Sequence, residues 1–150
     1  RTFRNAVLDL AEHYPFARPL VNSGRLSVPA IYDGSPLNGD DDATLPARTR
    51  PGAPYADAPV GENWLGDLLG NRFQLLVINA DAPSAIEIDG LVVETLSIKS
   101  ADVGDEIKDR YLGDATSAVY LMRPDQHVAA RWTIFDQSKI EAALRRAIGH

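Results

Sequence analysis

The sequence predicts an α/β fold in which a four-stranded mixed sheet is flanked by helices and preceded by an N-terminal helix and a long proline-rich connector. Three observations predict it: apolar runs of strand length after residue 64, two strands around a short turn near the end, and a final amphipathic helix. The 150 residues are 45% apolar and carry a formal charge of −6, a balance typical of a folded chain. A chain of this length buries roughly two-thirds of its unfolded surface on folding.

Residues 1–24 are predicted to be helical. Phe3, Val7 and Leu10 lie on one apolar stripe, and Pro15 and Pro19 interrupt backbone hydrogen bonding so that the helix breaks near residue 14. A second short turn is expected to end at residue 24. Because the sequence begins at an arginine and not a methionine, we expect it to be a piece of a longer protein.

Residues 25–62 form the predicted connector. They are rich in proline and glycine, so no helical or strand period is apparent. Apolar side chains such as Leu26, Ile31 and Tyr55 favour a segment that lies across a surface over a disordered linker, and we expect that surface to belong to protein outside this chain. The acidic triplet Asp40-Asp41-Asp42 is predicted to be a solvated loop, because its spacing does not match a calcium-binding loop.

Residues 63–150 are dense in regular elements. We predict helical turns over residues 64–69, a strand covered on both faces over 73–80, a short helix over 84–88, a strand over 91–98 and a helical segment over 105–112.

The last part of the chain predicts a hairpin and a helix. Strands over residues 117–123 and 127–132 flank Pro124-Asp125-Gln126, and a positive φ at Gln126 would cost about 1 kcal/mol. The helix is predicted to start at Asp136 or Ser138, where Ser138 and Glu141 have capping-box spacing, and Gly149 can end it.

This order of elements, β-α-β followed by β-β-α, is that of a thioredoxin-like domain. The thiol chemistry of that fold is excluded, because the sequence contains no cysteine. The sequence also lacks a Gly-x-Gly-x-x-Gly or Walker-type motif, a basic run that would suggest nucleic acid, and an apolar stretch long enough to span a membrane.

Individual polar residues give weak signals. No pair among His13, His127 and His150 has the spacing of metal ligands. His127 is predicted to be an exposed strand residue rather than a general base. Trp64 and Trp132 are expected to lie in the core. We therefore predict no catalytic, cofactor-binding or metal-binding residue in this chain, including among the serines and carboxylates considered: Ser23, Ser35, Ser138, Glu62, Asp67, Glu87 and Asp89.

Four segments together resemble a known family. They are residues 27–41 (SVPAIYDGSPLNGDD), 50–60 (RPGAPYADAPV), 64–76 (WLGDLLGNRFQLL) and 121–132 (LMRPDQHVAARW). In order and spacing they resemble the C-terminal region of FAD-dependent aromatic-ring monooxygenases, in the branch of 3-(3-hydroxyphenyl)propionate hydroxylase-like enzymes related to phenol hydroxylases. Family members often carry glycine where this hairpin has Gln126.

The resemblance implies a role for each segment. Residues 1–24 would be the trailing helix of an upstream substrate domain, 25–62 a connector, and 63–150 a non-catalytic thioredoxin-like domain that stabilises or dimerises the enzyme. FAD and NAD(P)H would be bound by the parent oxidoreductase and not by this fragment. The implied partners are the upstream FAD and substrate domains and a second copy of the chain, in a cytoplasmic protein.

Two other classes of function remain open. One is a stand-alone, cysteine-free thioredoxin-like module that binds other proteins. The other is a hydrolase that uses Asp and His, which would need a pocket where such side chains, His127 among them, converge.

Overall fold

The computed structural model describes residues 2–14 and 29–150. In these residues the fold is mixed α/β, with a five-stranded mixed sheet, a two-stranded ribbon and four α-helices. The helices are α1 (Thr2–His13), α2 (Leu65–Leu68), α3 (Asp105–Ile107) and α4 (Gln137–Ala147). The ribbon is β1 (Pro59–Val60) with β2 (Asn63–Trp64), and the sheet contains β3 (Gln74–Ile78), β4 (Ala85–Ile88), β5 (Leu91–Ile98), β6 (Ala118–Met122) and β7 (Val128–Trp132).

The five strands lie in the order β4-β5-β3-β6-β7. The central strand β3 runs parallel to β5 and antiparallel to β6, while β6–β7 and β4–β5 are antiparallel pairs. Every residue of β3 is buried, since apolar layers cover both faces of the sheet. This confirms the predicted mixed α/β class and the strand over residues 73–80.

The prediction of four strands was wrong because residues 84–88 form β4 and not a short helix. The sequence Ala-Ile-Glu-Ile alternates between exposed and buried positions, which is the period of a strand. It is followed by Asp89 and Gly90, both with positive φ, which is the backbone of a tight type I′ hairpin. The Asp-Gly pair therefore folds residues 85–98 into a β-hairpin.

One face of the sheet is covered by α4. This helix begins after Asp136, whose side chain accepts a hydrogen bond from the Lys139 N–H at 3.2 Å. Of the two predicted starts, Asp136 is confirmed as the N-cap and the capping box at Ser138 is not, while the ending near Gly149 (φ +87°) was predicted correctly. The core on this face contains Leu75, Val77, Ile86, Ile88, Val93, Val119, Leu121, Ala129, Ala130, Trp132, Ile140, Ala143 and Leu144.

The other face is covered by α2, α3 and the connector. The π-helical segment Lys108–Leu112 continues α3 and ends at Gly113, in agreement with the predicted helical stretch. Leu45, Ala56 and Ala58 of the connector are buried in this second core beside Leu76 and Ile78. The surface that the connector crosses thus belongs to this chain, not to protein outside it.

The connector also hydrogen-bonds along the outer edge of β7. Gly39 N–H donates to Ala129 O at 2.8 Å, and Gly52 N–H donates to Val128 O at 2.8 Å. Isolated bridges are parallel at Asp41–Arg131 and antiparallel at Pro54–His127. A sheet edge with unpaired backbone groups is prone to add further strands, and the connector occupies this one.

Local details of the ends also bear on the predictions. The β6–β7 hairpin turns through Gln126 with φ +62°, which is the strained position expected from the sequence. Helix α1 ends at His13, in agreement with the predicted break near residue 14, whereas the predicted turn up to residue 24 lies outside the described residues. Among the helices that the structure describes, none combines the length and apolar character needed to cross a bilayer.

Candidate functional site

The acidic triplet binds three consecutive residues at the end of β7. Asp41 Oδ1 accepts from Arg131 Nε at 2.6 Å, and the flanking carboxylates bind the next two residues in the strand direction. We call this set the aspartate clamp: Asp40 with Trp132 Nε1, Asp41 with Arg131, and Asp42 with Thr133 Oγ1. The prediction of a merely solvated loop was wrong, because these carboxylates fix the connector to the sheet.

Arg131 is the buried member of the clamp. Its side chain is 2% exposed, whereas that of Asp41 is 45% exposed. Taking a guanidinium out of water is costly unless its N–H groups are paired, and here Nη1 also donates to Pro46 O at 2.5 Å. Asp41 and Pro46 belong to the connector, while the Tyr120 hydroxyl of β6 also hydrogen-bonds to the guanidinium. The counter-charge of Arg131 is Asp41, so its charge is compensated only when the connector is in place.

A buried hydroxyl network continues from the clamp. Tyr120 Oη donates to Tyr111 O at 2.6 Å and lies 3.2 Å from Thr49 Oγ1. Tyr111 Oη donates to Ala56 O and accepts from Ala56 N–H, both at 2.9 Å. The two tyrosine rings meet edge to face with centroids 5.2 Å apart. This network joins residues of the connector to β6 and to the π-helical segment that follows α3.

The tyrosines of this network are kept neutral. Burial raises the pKa of Tyr120 to about 12, and this effect exceeds the opposite effect of the hydrogen bond with Thr49, which lowers the pKa. Burial raises the pKa of Tyr111 further, because its phenol is surrounded by apolar side chains. Both hydroxyls therefore serve as hydrogen-bonding groups at neutral pH and not as bases.

His127 is buried, contrary to the prediction of an exposed residue. Its Nε2 lies 3.0 Å from Ala30 O and its Nδ1 lies 3.0 Å from Asp125 O. The ring of Tyr32 packs against it at a centroid distance of 4.9 Å. A main-chain oxygen lies within hydrogen-bond distance of each ring nitrogen. Because Ala30 belongs to the connector and Asp125 to the hairpin, the His127 ring holds the two together.

A shallow cleft lies where β3 ends, and ligands of open α/β sheets commonly bind at that end of parallel strands. It has a volume of about 420 Å³ and adjoins a second cleft of about 500 Å³. Asn79 Nδ2 donates to Thr116 O at 3.3 Å, and Ser117 Oγ donates to Thr133 O at 2.7 Å, so these polar groups close the strand ends. The first cleft carries one basic and one acidic side chain, Lys108 and Asp114, which could at most hold a small polar molecule.

One group on α1 has metal-ligand geometry. The ligand atoms of Asp9, Glu12 and His13 lie within 4.8 Å of one another, and all three residues are exposed. The sequence prediction missed this group because each histidine was assessed alone. The i, i+3, i+4 spacing of Asp9, Glu12 and His13 on a helix could have revealed it. Exposed carboxylates commonly cluster on helices without binding an ion, so the geometry alone assigns no metal.

Ser23 lies outside the described residues, and Asp89 and Glu87 lie at the hairpin of β4 and β5. Asp89 binds Arg145 at 2.8 Å, and this hydrogen bond lowers the pKa of the Asp89 carboxyl. Glu87 is exposed on β4. Trp132 lies in the core as predicted, but Trp64 is 53% exposed, so its assignment to the core was wrong.

The turn after β3 does not fit a dinucleotide cofactor. A pyrophosphate is bound by a glycine-rich turn that leads into the N-terminus of a helix. Residues 79–84 are Asn-Ala-Asp-Ala-Pro-Ser, contain no glycine, and lead into β4.

Comparison with known proteins leaves the family unassigned. No protein-family model matches the sequence. Curated proteins include no significant match to it.

Proposed function

We propose that residues 63–150 form a thioredoxin-like domain without redox activity. The order and directions of four strands support this assignment. When β4 is set aside, β5-β3-β6-β7 contain a parallel pair followed by two antiparallel neighbours, with α4 packed on one face. These strand directions are those expected for such a domain, although β4 stands between β3 and β5 in sequence, where a β-α-β unit has its crossover helix. The chain has no cysteine, so a scaffolding or binding role replaces thiol exchange.

The particular function that we propose is that of the C-terminal domain of an FAD-dependent aromatic hydroxylase. The support is the resemblance of residues 27–41, 50–60, 64–76 and 121–132 to the 3-(3-hydroxyphenyl)propionate hydroxylase-like enzymes. The parent enzyme would be a cytoplasmic oxidoreductase that uses FAD and NAD(P)H to insert one oxygen atom into a phenolic ring. Upstream domains would bind the flavin and the substrate.

The aspartate clamp is the observation that carries the scaffolding role. It joins the connector to β7 through a buried guanidinium, so the segment that would lead from the upstream domains is part of the folded domain. A domain anchored in this way transmits its stability to the connector. In the parent enzyme it would hold the connector at a fixed position on the sheet and so stabilise the upstream domains.

The test of this proposal is the coding sequence upstream of residue 1. We expect an open reading frame that continues upstream into a dinucleotide-binding domain with a Gly-x-Gly-x-x-Gly motif after its first strand. A methionine codon directly before Arg1, preceded by a stop codon in frame, would contradict it.

The alternative is a stand-alone, cysteine-free thioredoxin-like module that binds protein. Exposed apolar side chains favour it, notably Ile134 beside the second cleft and Trp64 on β2. The same upstream sequence distinguishes the two proposals, because the module requires its own start codon.

A further inference from the structure

In the part of the chain that the structure describes, one edge of the sheet is covered and the other is open. The connector occupies the outer side of β7, whereas β4 ends the strand order at the other side. Within residues 2–14 and 29–150, the strand partner of β4 is β5. An open edge presents main-chain donors and acceptors to any strand that approaches it.

The pairing with β5 determines which groups of β4 point outward. Thr95 N–H donates to Ser84 O at 2.9 Å, so residue 84 directs its main chain toward β5. Main-chain direction alternates along an antiparallel pair, and Ile86 and Ile88 therefore also face β5. The N–H and C=O groups of Ala85 and Glu87 face away from it. The edge thus offers two donors and two acceptors.

We propose that β4 is a homodimer edge, which pairs antiparallel with β4 of a second copy about a two-fold axis at Ile86. This specifies the dimer contact of the proposed function, but it rests on the geometry of β4 alone. In this register Ala85 lies opposite Glu87 of the second copy, and Glu87 opposite its Ala85. All four outward groups on each chain are then paired, and the two sheets become one continuous sheet.

The other two-fold registers are less favourable. An axis at Ala85 places Glu87 opposite Pro83 of the second copy, which has no N–H to donate. An axis at Glu87 places two carboxylates directly opposite each other and requires pairing at Asp89, which is in the turn with φ +52°. The backbone and the charge of this strand therefore select the axis at Ile86.

The second copy fits this edge because, in this register, the edge is self-complementary in its main-chain hydrogen bonds and brings no like charges together. A small, uncharged Ala85 meets the Glu87 carboxylate, so like charges are kept apart. Val92, the β5 neighbour of Glu87, is 55% exposed and adds apolar surface beside the axis. With four residues in the strand the contact is small, and we expect a dissociation constant of about 10 to 100 μM.

The test is a set of charge variants in the chain, measured by sedimentation velocity across a concentration series. Ala85→Lys places an ammonium opposite Glu87 of the second copy at two symmetric positions, and should tighten the dimer about tenfold. Ala85→Glu places carboxylates opposite each other and should weaken it by about the same factor. The double variant A85E/E87K should restore the association. Glu62→Lys, a larger change of charge at another exposed position, is the control and should leave the dimer unchanged.

Circular dichroism checks that each variant folds, and all substituted positions are exposed. A wild-type chain that stays monomeric up to the highest concentration would overturn the proposal. So would a dimer that responds equally to Glu62→Lys, or that A85E/E87K fails to restore. None of these results bears on the upstream reading frame, so failure of the β4 dimer is distinguishable from failure of the proposed function.

Discussion

Asp41 and Arg131 form an ion pair across 90 residues of sequence, with Asp41 Oδ1 2.6 Å from Arg131 Nε. The pair joins an irregular segment to the end of β7. Its asymmetry defines its role: the cation is buried, and the anion is half in solvent. The guanidinium depends on the connector for its counter-charge, and the guanidinium in turn fixes the connector to the strand.

Removing the anion of this pair should destabilise the fold. Asp41→Asn leaves Arg131 buried without its counter-charge, and we expect a loss of about 2 kcal/mol in the free energy of unfolding, measured by urea denaturation. The matched control is Asp33→Asn, which breaks the exposed pair with Arg50 and should have no measurable effect. Equal effects of the two substitutions would contradict the clamp.

The close approach of the connector to α4 gives a second prediction. A Cβ atom on Gly39 would lie 3.0 Å from the Cβ atoms of both Ala130 and Ala143. Gly39→Ala should therefore lower the free energy of unfolding by about 1 to 2 kcal/mol through overpacking. Combining it with Ala143→Gly relieves one contact, and a double-mutant cycle should show positive coupling. Strict additivity would mean that the connector does not approach α4 this closely.

The buried tyrosines predict a loss of stability at high pH. Burial raises the pKa of Tyr120 from 10 to about 12, so the folded state favours the neutral phenol. The resulting stability is fully present below pH 10 and is lost as the pH rises from 10 through about 12. Tyr120→Phe should flatten this alkaline decline in the melting temperature, whereas Tyr32→Phe at an exposed site should not. An unchanged pH profile in Tyr120→Phe would refute the assignment.

The N-cap of α4 predicts a loss of stability in acid. Hydrogen bonding from Lys139 N–H lowers the pKa of Asp136 below 3.8, so its contribution is present above that pH and is lost as the pH falls through the folded-state pKa. Asp136→Ala should lower the melting temperature at pH 7, and Asp136→Asn should retain the cap while removing its share of the acid dependence. Thermal melts between pH 2 and 7, roughly the range over which aspartate titrates, provide the measurement. An alanine variant as stable as wild type would exclude the cap.

A further prediction concerns flavin. The chain should not form a stoichiometric complex with FAD at concentrations below about 10 μM, because the turn after β3 lacks a cradle for the pyrophosphate. Titration followed by flavin fluorescence tests this. The same titration of an aromatic hydroxylase that contains an FAD domain is the positive control. Tight binding by the isolated chain would place a cofactor site within it.

Much of the sheet could be predicted from local sequence. The run 73–80 and the pattern of residues 91–98 identified β3 and β5, since covered strands are continuously apolar. Strand β4 was missed because it has four residues and an expected crossover helix outweighed its alternation and its Asp-Gly turn. Local sequence patterns thus identified β3 and β5. The local pattern of β4 was present too, but an expected crossover helix was preferred to it.

The clamp was missed for a different reason. Each aspartate of the triplet is polar, lies in an irregular segment and is far in sequence from its partner, so only the tertiary fold reveals what it binds. The exposure of Trp64 likewise depends on which parts of the fold pack against it, and sequence composition does not specify those contacts. Nonlocal pairing, rather than local propensity, decides both features.

The outer edge of β7 also has a consequence for synthesis. Residues 39–55 leave the ribosome long before the strand against which they will be placed, and domains acquire their structure as the chain is made. Until residue 132 has left the ribosome, Asp41 cannot pair with the guanidinium of Arg131. The apolar side chains of residues 39–55 remain exposed to solvent until then. Nascent chains stalled before β7 should therefore be far more sensitive to protease in this segment than chains stalled after α4.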